Sequence, residues 1–179
     1  MNKLLLVSIS LLSICISFTK KNLEWVAIGD SITYLNDHTN ETGNRITKGY
    51  MSMVNERLPH IHFTNQGHNG WTSGEIANAI EKINLQKADI YSIFLGTNDW
   101  WHGRPLGTFA DYQNNIGNST VYGSFRIIVN KLRSLNKDAK IILITPMQRG
   151  DFVYINDFKN NALLTQRETN FLTLRKQLI

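Results

Sequence analysis

Cysteine is almost absent from this chain of 179 residues. The one cysteine, Cys15, lies inside an apolar N-terminal segment. If that segment is removed, the remaining protein has no cysteine at all. A disulfide framework, a cysteine-based metal site and a thiol nucleophile are then excluded.

The body of the chain also lacks an excess of charge. Of the net charge of +5, residues 1–21 carry +3 and residues 161–179 carry +2, so residues 22–160 are neutral. A basic surface for nucleic acid therefore has no support, and we expect no nucleic-acid partner. Hydrophobic residues make up 42% and charged residues 18%, which is typical of a globular protein rather than a disordered or collagen-like one. The length fits one domain.

The longest apolar run, residues 4–18, follows Lys3 and is shorter than the roughly 20 residues of a membrane span. Cys15 and Ser17 are small residues at a possible cleavage site before Phe18. We interpret residues 1–20 as a signal peptide and expect a secreted or periplasmic protein without a stable membrane span. An uncleaved anchor and lipid attachment at Cys15 are the alternatives.

Short apolar runs alternate with helical patterns along the rest of the chain. The runs predict strands at residues 25–28, 61–64, 90–95 and 140–144. Apolar stripes predict helices around residues 51–58, 76–83 and 121–135, and Thr72 with Glu75 fits a capping box at the start of the second. This alternation predicts a parallel sheet buried on both faces, with its reactive groups at the carboxyl ends of the strands.

Three polar motifs follow the first three predicted strands. They are Gly29-Asp30-Ser31, the Gly/Asn-rich residues 65–73 and Gly96-Thr97-Asn98-Asp99. A tight turn from strand to helix can expose a serine hydroxyl beside a backbone N–H, and an Asn amide is a neutral donor for a developing oxyanion. Each motif alone also fits an ordinary loop, with Ser31 as a helix cap and the others as Asx or glycine turns.

Together the three motifs resemble the first three blocks of the SGNH (GDSL-type) hydrolase family, over roughly residues 23–155. The resemblance implies a flavodoxin-like three-layer α/β/α sandwich and ester hydrolysis through an acyl-enzyme. It implies that Ser31 is the nucleophile and first oxyanion donor, that Gly70 is the second donor through its backbone, and that Asn98 is the third through its side chain. It implies no metal or organic cofactor.

In this family a D-x-x-H motif near the C-terminus supplies the base and the Asp that orients it. We identify no such motif in the chain, and all five histidines precede the fourth predicted strand. His68 and His102 lie near the motifs, but we interpret them as surface or substrate-contact residues. We interpret Asp30 as a local loop acceptor and Asp99 as a turn residue. Catalysis by this chain is therefore expected to be impaired.

We interpret residues 22–160 as an incomplete SGNH hydrolase domain without its last strand and helix. Residues 161–179 are interpreted as an atypical basic tail, arising from a frameshift or belonging to a genuinely shortened protein. Either origin predicts an uncovered edge and face at residues 141–144.

Four aromatic residues close to the motifs are candidates for substrate binding: Tyr34, Trp71, Trp100 and Trp101. They could stack on sugar rings, although core packing is the alternative. We expect a small-molecule or glycan ester as substrate and favour a carbohydrate acetyl ester over a lipid ester. A non-catalytic glycan-binding protein remains open. A nucleotide-binding flavodoxin-like protein is disfavoured because no Gly-rich phosphate loop follows the first strand.

Overall fold

The computed structural model describes residues 20–43 and 45–146. The predicted signal peptide, the atypical tail and the position of any fifth strand lie outside these residues. No helix in the described ranges is both long and apolar enough to cross a bilayer.

Four parallel strands form one sheet in the order β2-β1-β3-β4. The strands are β1 (Leu23–Gly29), β2 (Ile61–Gly67), β3 (Ile90–Phe94) and β4 (Lys140–Ile144). All four predicted strands are confirmed, although β1 and β2 extend further than their apolar runs. Polar residues such as Asn65 and Gln66 end β2, so apolar patterning alone could not mark that boundary.

Helices connect consecutive strands. They are α1 (Ser31–Tyr34), α2 (Tyr50–Arg57), α3 (Ser73–Ala79), α4 (Thr97–Trp101), α5 (Phe109–Gln113) and α6 (Val121–Leu135). The predicted capping box of α3 is present, because Thr72 Oγ1 accepts from Glu75 N and the Glu75 carboxylate accepts from Thr72 N. The stripe predicted for α2 is correct at Met51 but wrong at Leu58, which lies beyond the helix and is exposed.

The alternating side chains of β1 build two cores, one on each face of the sheet. Val26 and Ile28 belong to the larger cluster, which includes residues of α3 and α6. Trp25 and Ala27 belong to the smaller cluster with Met51 of α2. Helices thus cover both faces, which confirms the predicted α/β/α sandwich.

Strand β4 occupies one end of the strand order within the described residues. Ile142 is 48% exposed and Leu143 37% exposed, in contrast to Val26, Ala27 and Ile28 of β1, which are at most 2% exposed. Ile142 and Leu143 are thus exposed in the described residues, and what lies beyond residue 146 falls outside them.

Candidate active site

The three predicted motifs lie at one edge of the sheet because the strands end in register. Gly29, the last residue of β1, pairs with Gly67 of β2 and with Phe94 of β3. The loops that follow therefore start side by side. In this strand order the chain leaves β1 towards β2 on one side and leaves β3 towards β4 on the other. Doubly wound sheets form their binding crevice at such a point, where the direction of the connections reverses.

Ser31 lies at the turn from β1 into α1. The Asp30 carboxylate caps α1 by accepting from Ile32 N at 3.0 Å, which confirms its predicted role as a local acceptor. Asp30 is 2% exposed, and burial raises the pKa of its carboxyl group above the ordinary value. Ser31 is the first residue of α1, so its N–H has no acceptor within the helix. Ser31 itself is half-buried.

Gly29 and Gly67 allow α1 to approach the sheet closely. A Cβ at Gly29 would lie 2.0 Å from Thr33 Oγ1, and a Cβ at Gly67 would lie 2.1 Å from Tyr34 N. Gly29 is not among the residues with positive φ, so its backbone conformation does not require glycine. Space for the backbone and side chain of α1 is what requires both glycines.

The loop after β2 is tied to the end of β1. His68 N donates to Gly29 O at 2.9 Å, and Trp71 N closes a turn on His68 O at 3.2 Å. Inside this turn Gly70 has a φ of +79° and is exposed. Within residues 20–43 and 45–146, its N–H donates no hydrogen bond. The turn therefore presents this N–H at the carboxyl edge of the sheet.

The His68 ring stacks on Trp71 with the centroids 4.2 Å apart and the planes 16° apart. Its Nε2 is buried and has no partner among the described residues. Desolvation lowers the pKa of His68, which favours the neutral ring at pH 7. Ser31 Oγ makes no hydrogen bond to His68 or to any other residue that the structure describes.

The loop after β3 carries Asn98 and Asp99 on α4. Asn98 Nδ2 donates to Trp71 O at 2.9 Å, which joins the second and third motifs directly. Asp99 accepts from Ser73 N at 2.8 Å and from Ser73 Oγ at 2.6 Å. Its carboxylate also pairs with Arg104 Nε at 2.9 Å. Asp99 is 1% exposed, so its interpretation as a simple turn residue was wrong.

An Asp-x-x-His spacing occurs once in the chain, from Asp99 to His102, and sequence reasoning overlooked it. Both Asp99 oxygens are engaged by Ser73 and Arg104. His102 follows α4 and is exposed. Its N–H donates to Asn98 O at 2.9 Å. The pair therefore does not form an Asp–His dyad.

The four aromatic candidates have different surroundings. Tyr34 stacks on His38 at 3.9 Å, and its hydroxyl donates to Glu41 at 3.2 Å. Trp71 packs partly against the larger core. Trp100 is 8% exposed and meets the ring of Trp101 edge-on at 4.9 Å, while Trp101 is 38% exposed. The two tryptophans are on a helix rather than a strand, so they face different surroundings.

A family model of the GDSL-like lipase/acylhydrolase family matches residues 27–173. The chain belongs to the GDSL-like lipase/acylhydrolase family. The predicted resemblance is thereby confirmed. No curated protein matches the chain at a significant level.

Solved structures resemble this GDSL-like chain as well. A possible lipase from Chitinophaga pinensis is 60% identical over 88% of this chain, with a TM-score of 0.73. The match spans 65% of that protein's length. A protein from Lactobacillus plantarum is 19% identical with a TM-score of 0.62, covering 89% of this chain and 73% of its own. An acetyl xylan esterase is 20% identical with a TM-score of 0.52, and the match covers 86% of this chain and 73% of that protein. The last two likenesses concern the fold alone.

The GDSL-like chain also has an open cavity of about 800 Å³ at the opposite end of the sheet. Its lining includes Lys20 and Lys21 before β1 and Pro59 and His60 before β2. It is therefore far along the strands from the three motifs. In the described ranges, no cluster of three or more His, Cys, Asp or Glu residues is arranged to hold a metal ion.

Proposed function

We propose that this GDSL-like chain acts on ester bonds through an acyl-enzyme, with Ser31 as the nucleophile. The observation that carries the proposal is the linkage of the three loops: His68 N bonds Gly29 O, and Asn98 Nδ2 bonds Trp71 O. These bonds tie the loop that carries Gly70 to Gly29, two residues before Ser31, and tie Asn98 to the same loop. The 60% identity to a possible lipase supports the same class of reaction.

In the proposed reaction Ser31 Oγ attacks the ester carbonyl carbon, and the carbonyl oxygen becomes an oxyanion. The N–H groups of Ser31 and Gly70 and the side-chain amide of Asn98 are the donors for this oxyanion. Collapse of the tetrahedral species breaks the bond to the alcohol, which takes up a proton from solvent in place of the one that the Ser31 hydroxyl gave to solvent on attack. Water then attacks the acyl-serine, releases the acid and restores the Ser31 hydroxyl.

Activation of Ser31 limits the rate of the proposed reaction. Its Oγ has no hydrogen-bonded base among the described residues, and no Asp-x-x-His motif follows residue 102 in the sequence. His68 is stacked and held in its neutral form. We therefore expect slow turnover by this chain, because an oxyanion hole and substrate binding without a full triad retain only about 10³–10⁴-fold acceleration over water.

For the substrate we favour an acetyl ester on a carbohydrate. Trp101 is the most exposed of the three tryptophans near the motifs, and an exposed indole face can stack on a sugar ring. The proposal includes export of the protein through its apolar N-terminal segment.

The missing contact between Ser31 Oγ and a base favours a second candidate, a glycan-binding protein that retains the pocket without turnover.

Hydrolysis of p-nitrophenyl acetate by the full chain tests the first candidate, with Ser31→Ala as the decisive variant. The exposed Ser134, on α6, provides a matched Ser134→Ala control. We expect turnover above the buffer rate that Ser31→Ala abolishes and Ser134→Ala retains. Turnover that survives Ser31→Ala would exclude Ser31 as the nucleophile. No turnover, together with binding of an acetylated xylo-oligosaccharide by calorimetry, would support the second candidate instead.

A further inference from the structure

Asp99 links the two loops that carry the proposed oxyanion donors. It lies next to Asn98 on α4, and its carboxylate accepts two hydrogen bonds from Ser73, the first residue of α3. Asn98 binds Trp71 O in the same loop. Adjacent residues of one loop therefore hold residues 71 and 73 of the other. This double attachment fixes position and direction, which one hydrogen bond cannot do.

We propose that Asp99 is a positioning residue that sets the Gly70 N–H and the Asn98 amide relative to each other. The inference rests on the proposed role of those two groups as oxyanion donors. Asp99 acts through Ser73 and Asn98 rather than on the substrate, because its oxygens are already engaged by Ser73 and Arg104. Oxyanion stabilisation depends on donors held in place before the reaction, so small displacements are costly.

Arg104 makes the burial of the Asp99 charge tolerable and anchors it to the rest of the fold. Its Nε pairs with Asp99, and its Nη2 donates to Asn118 O and Ser124 Oγ, each at 3.1 Å. The guanidinium packs against Gly74, where a Cβ would lie 2.5 Å from Arg104 Cζ. A buried carboxylate requires such a partner. The ion pair therefore attaches both loops to the start of α6.

The test compares Asp99→Asn and Ser73→Ala with Ser92→Ala. Asp99→Asn removes the charge, while Ser73→Ala removes one hydrogen bond to Asp99 and leaves the Arg104 pair intact. Ser92 is also 1% exposed and also hydrogen-bonded, accepting from Trp25 Nε1 at 2.9 Å, but it lies within β3. It is thus a matched control for the loss of a buried polar contact away from the two loops.

Two measurements are made on the full chain. The first is the rate at which an alkyl fluorophosphonate labels Ser31, a reaction that forms the Oγ–P bond, releases fluoride and gives the serine proton to solvent. The second is the NMR shift of the Gly70 backbone amide and the Asn98 side-chain amide. We expect labelling to fall about 10-fold in Ser73→Ala and about 100-fold in Asp99→Asn, with shifts of both amides. We expect Ser92→Ala to keep the wild-type labelling rate and the wild-type amide shifts, even if its melting temperature falls.

The proposal is overturned if Ser73→Ala and Asp99→Asn keep the labelling rate and the amide shifts of the wild type. If Asp99→Asn does not fold, Ser73→Ala decides alone. If wild-type Ser31 is not labelled at all, the proposed function fails. The amide shifts then still decide whether Asp99 positions the two loops, so the two failures remain distinguishable.

Discussion

Asn98 donates a hydrogen bond from its side-chain Nδ2 to the backbone oxygen of Trp71 at 2.9 Å. The bond fixes the amide in one orientation and uses one of its two N–H groups. The second N–H is therefore held in a defined direction without needing to titrate, as a donor for an oxyanion requires.

Replacing Asn98 should slow the chemical step more than it weakens substrate binding. We expect Asn98→Ala to lower kcat for p-nitrophenyl acetate by about 10²–10³-fold with little change in KM, the usual cost of one oxyanion donor. Asn98→Asp keeps the shape but replaces the donor with a negative charge, so its loss should be at least as large. The exposed Asn130 on α6 provides the Asn130→Ala control. Wild-type kcat in Asn98→Asp would contradict the assignment.

Gly70 offers a test that separates backbone strain from function. Gly70 has a φ of +79° and Gly117 a φ of +91°, and a Cβ at either position would meet nothing within 4 Å. Alanine at either site should cost about 1–2 kcal/mol of unfolding free energy, because L-residues disfavour this conformation. Only Gly70→Ala should also slow the acylation of Ser31, by reorienting the proposed donor. Urea denaturation and stopped-flow acylation measure the two effects, and equal acylation rates in both variants would contradict the role of Gly70.

The sequence was sufficient to predict the four strands, the three main helices and the placement of the motifs. These features depend on local periodicity and on the rule that parallel strands present their carboxyl ends at one edge. The Thr72–Glu75 capping box was also readable, because capping chemistry acts over three residues.

Contacts between loops could not be predicted in the same way. The pairing of Asp99 with Ser73 joins residues 26 positions apart, and nothing in either local pattern indicates the partner. The requirement for Gly29 also depended on the position of Thr33, a packing fact that turn preferences do not contain.

Asp30 should make the protein less stable at neutral pH than a neutral isostere would. Burial raises its folded pKa, so between the ordinary value of 3.8 and that raised value the folded state retains a proton that the unfolded chain has released. The free energy of unfolding therefore falls as pH rises through this window, and the loss persists at neutral pH. Below 3.8 the carboxyl is protonated in both states and the loss disappears.

Asp30→Asn retains an oxygen that can accept from Ile32 N and cannot ionise. We expect its urea midpoint to exceed the wild-type value at pH 7 and to equal it near about pH 3. The exposed Asp138 provides a control, and Asp138→Asn should change neither midpoint relative to the wild type. A midpoint for Asp30→Asn that is below the wild-type value at pH 7 but not at about pH 3 would show that the carboxylate stabilises the turn.

Trp100 and Trp101 should respond to truncation in opposite ways, because one is buried and the other is exposed. Trp100→Ala removes a core side chain and should cost about 3–5 kcal/mol of unfolding free energy. Trp101→Ala should cost about 1 kcal/mol, mainly the edge-on ring contact.

If Trp101 binds sugar rings, its loss should weaken binding of acetylated xylo-oligosaccharides severalfold while the rate on p-nitrophenyl acetate stays unchanged. Calorimetry measures the affinity for the oligosaccharide, and the chromogenic assay measures the rate on p-nitrophenyl acetate. Equal affinity for the oligosaccharide in Trp101→Ala would exclude this residue as a sugar platform and would favour a smaller ester substrate.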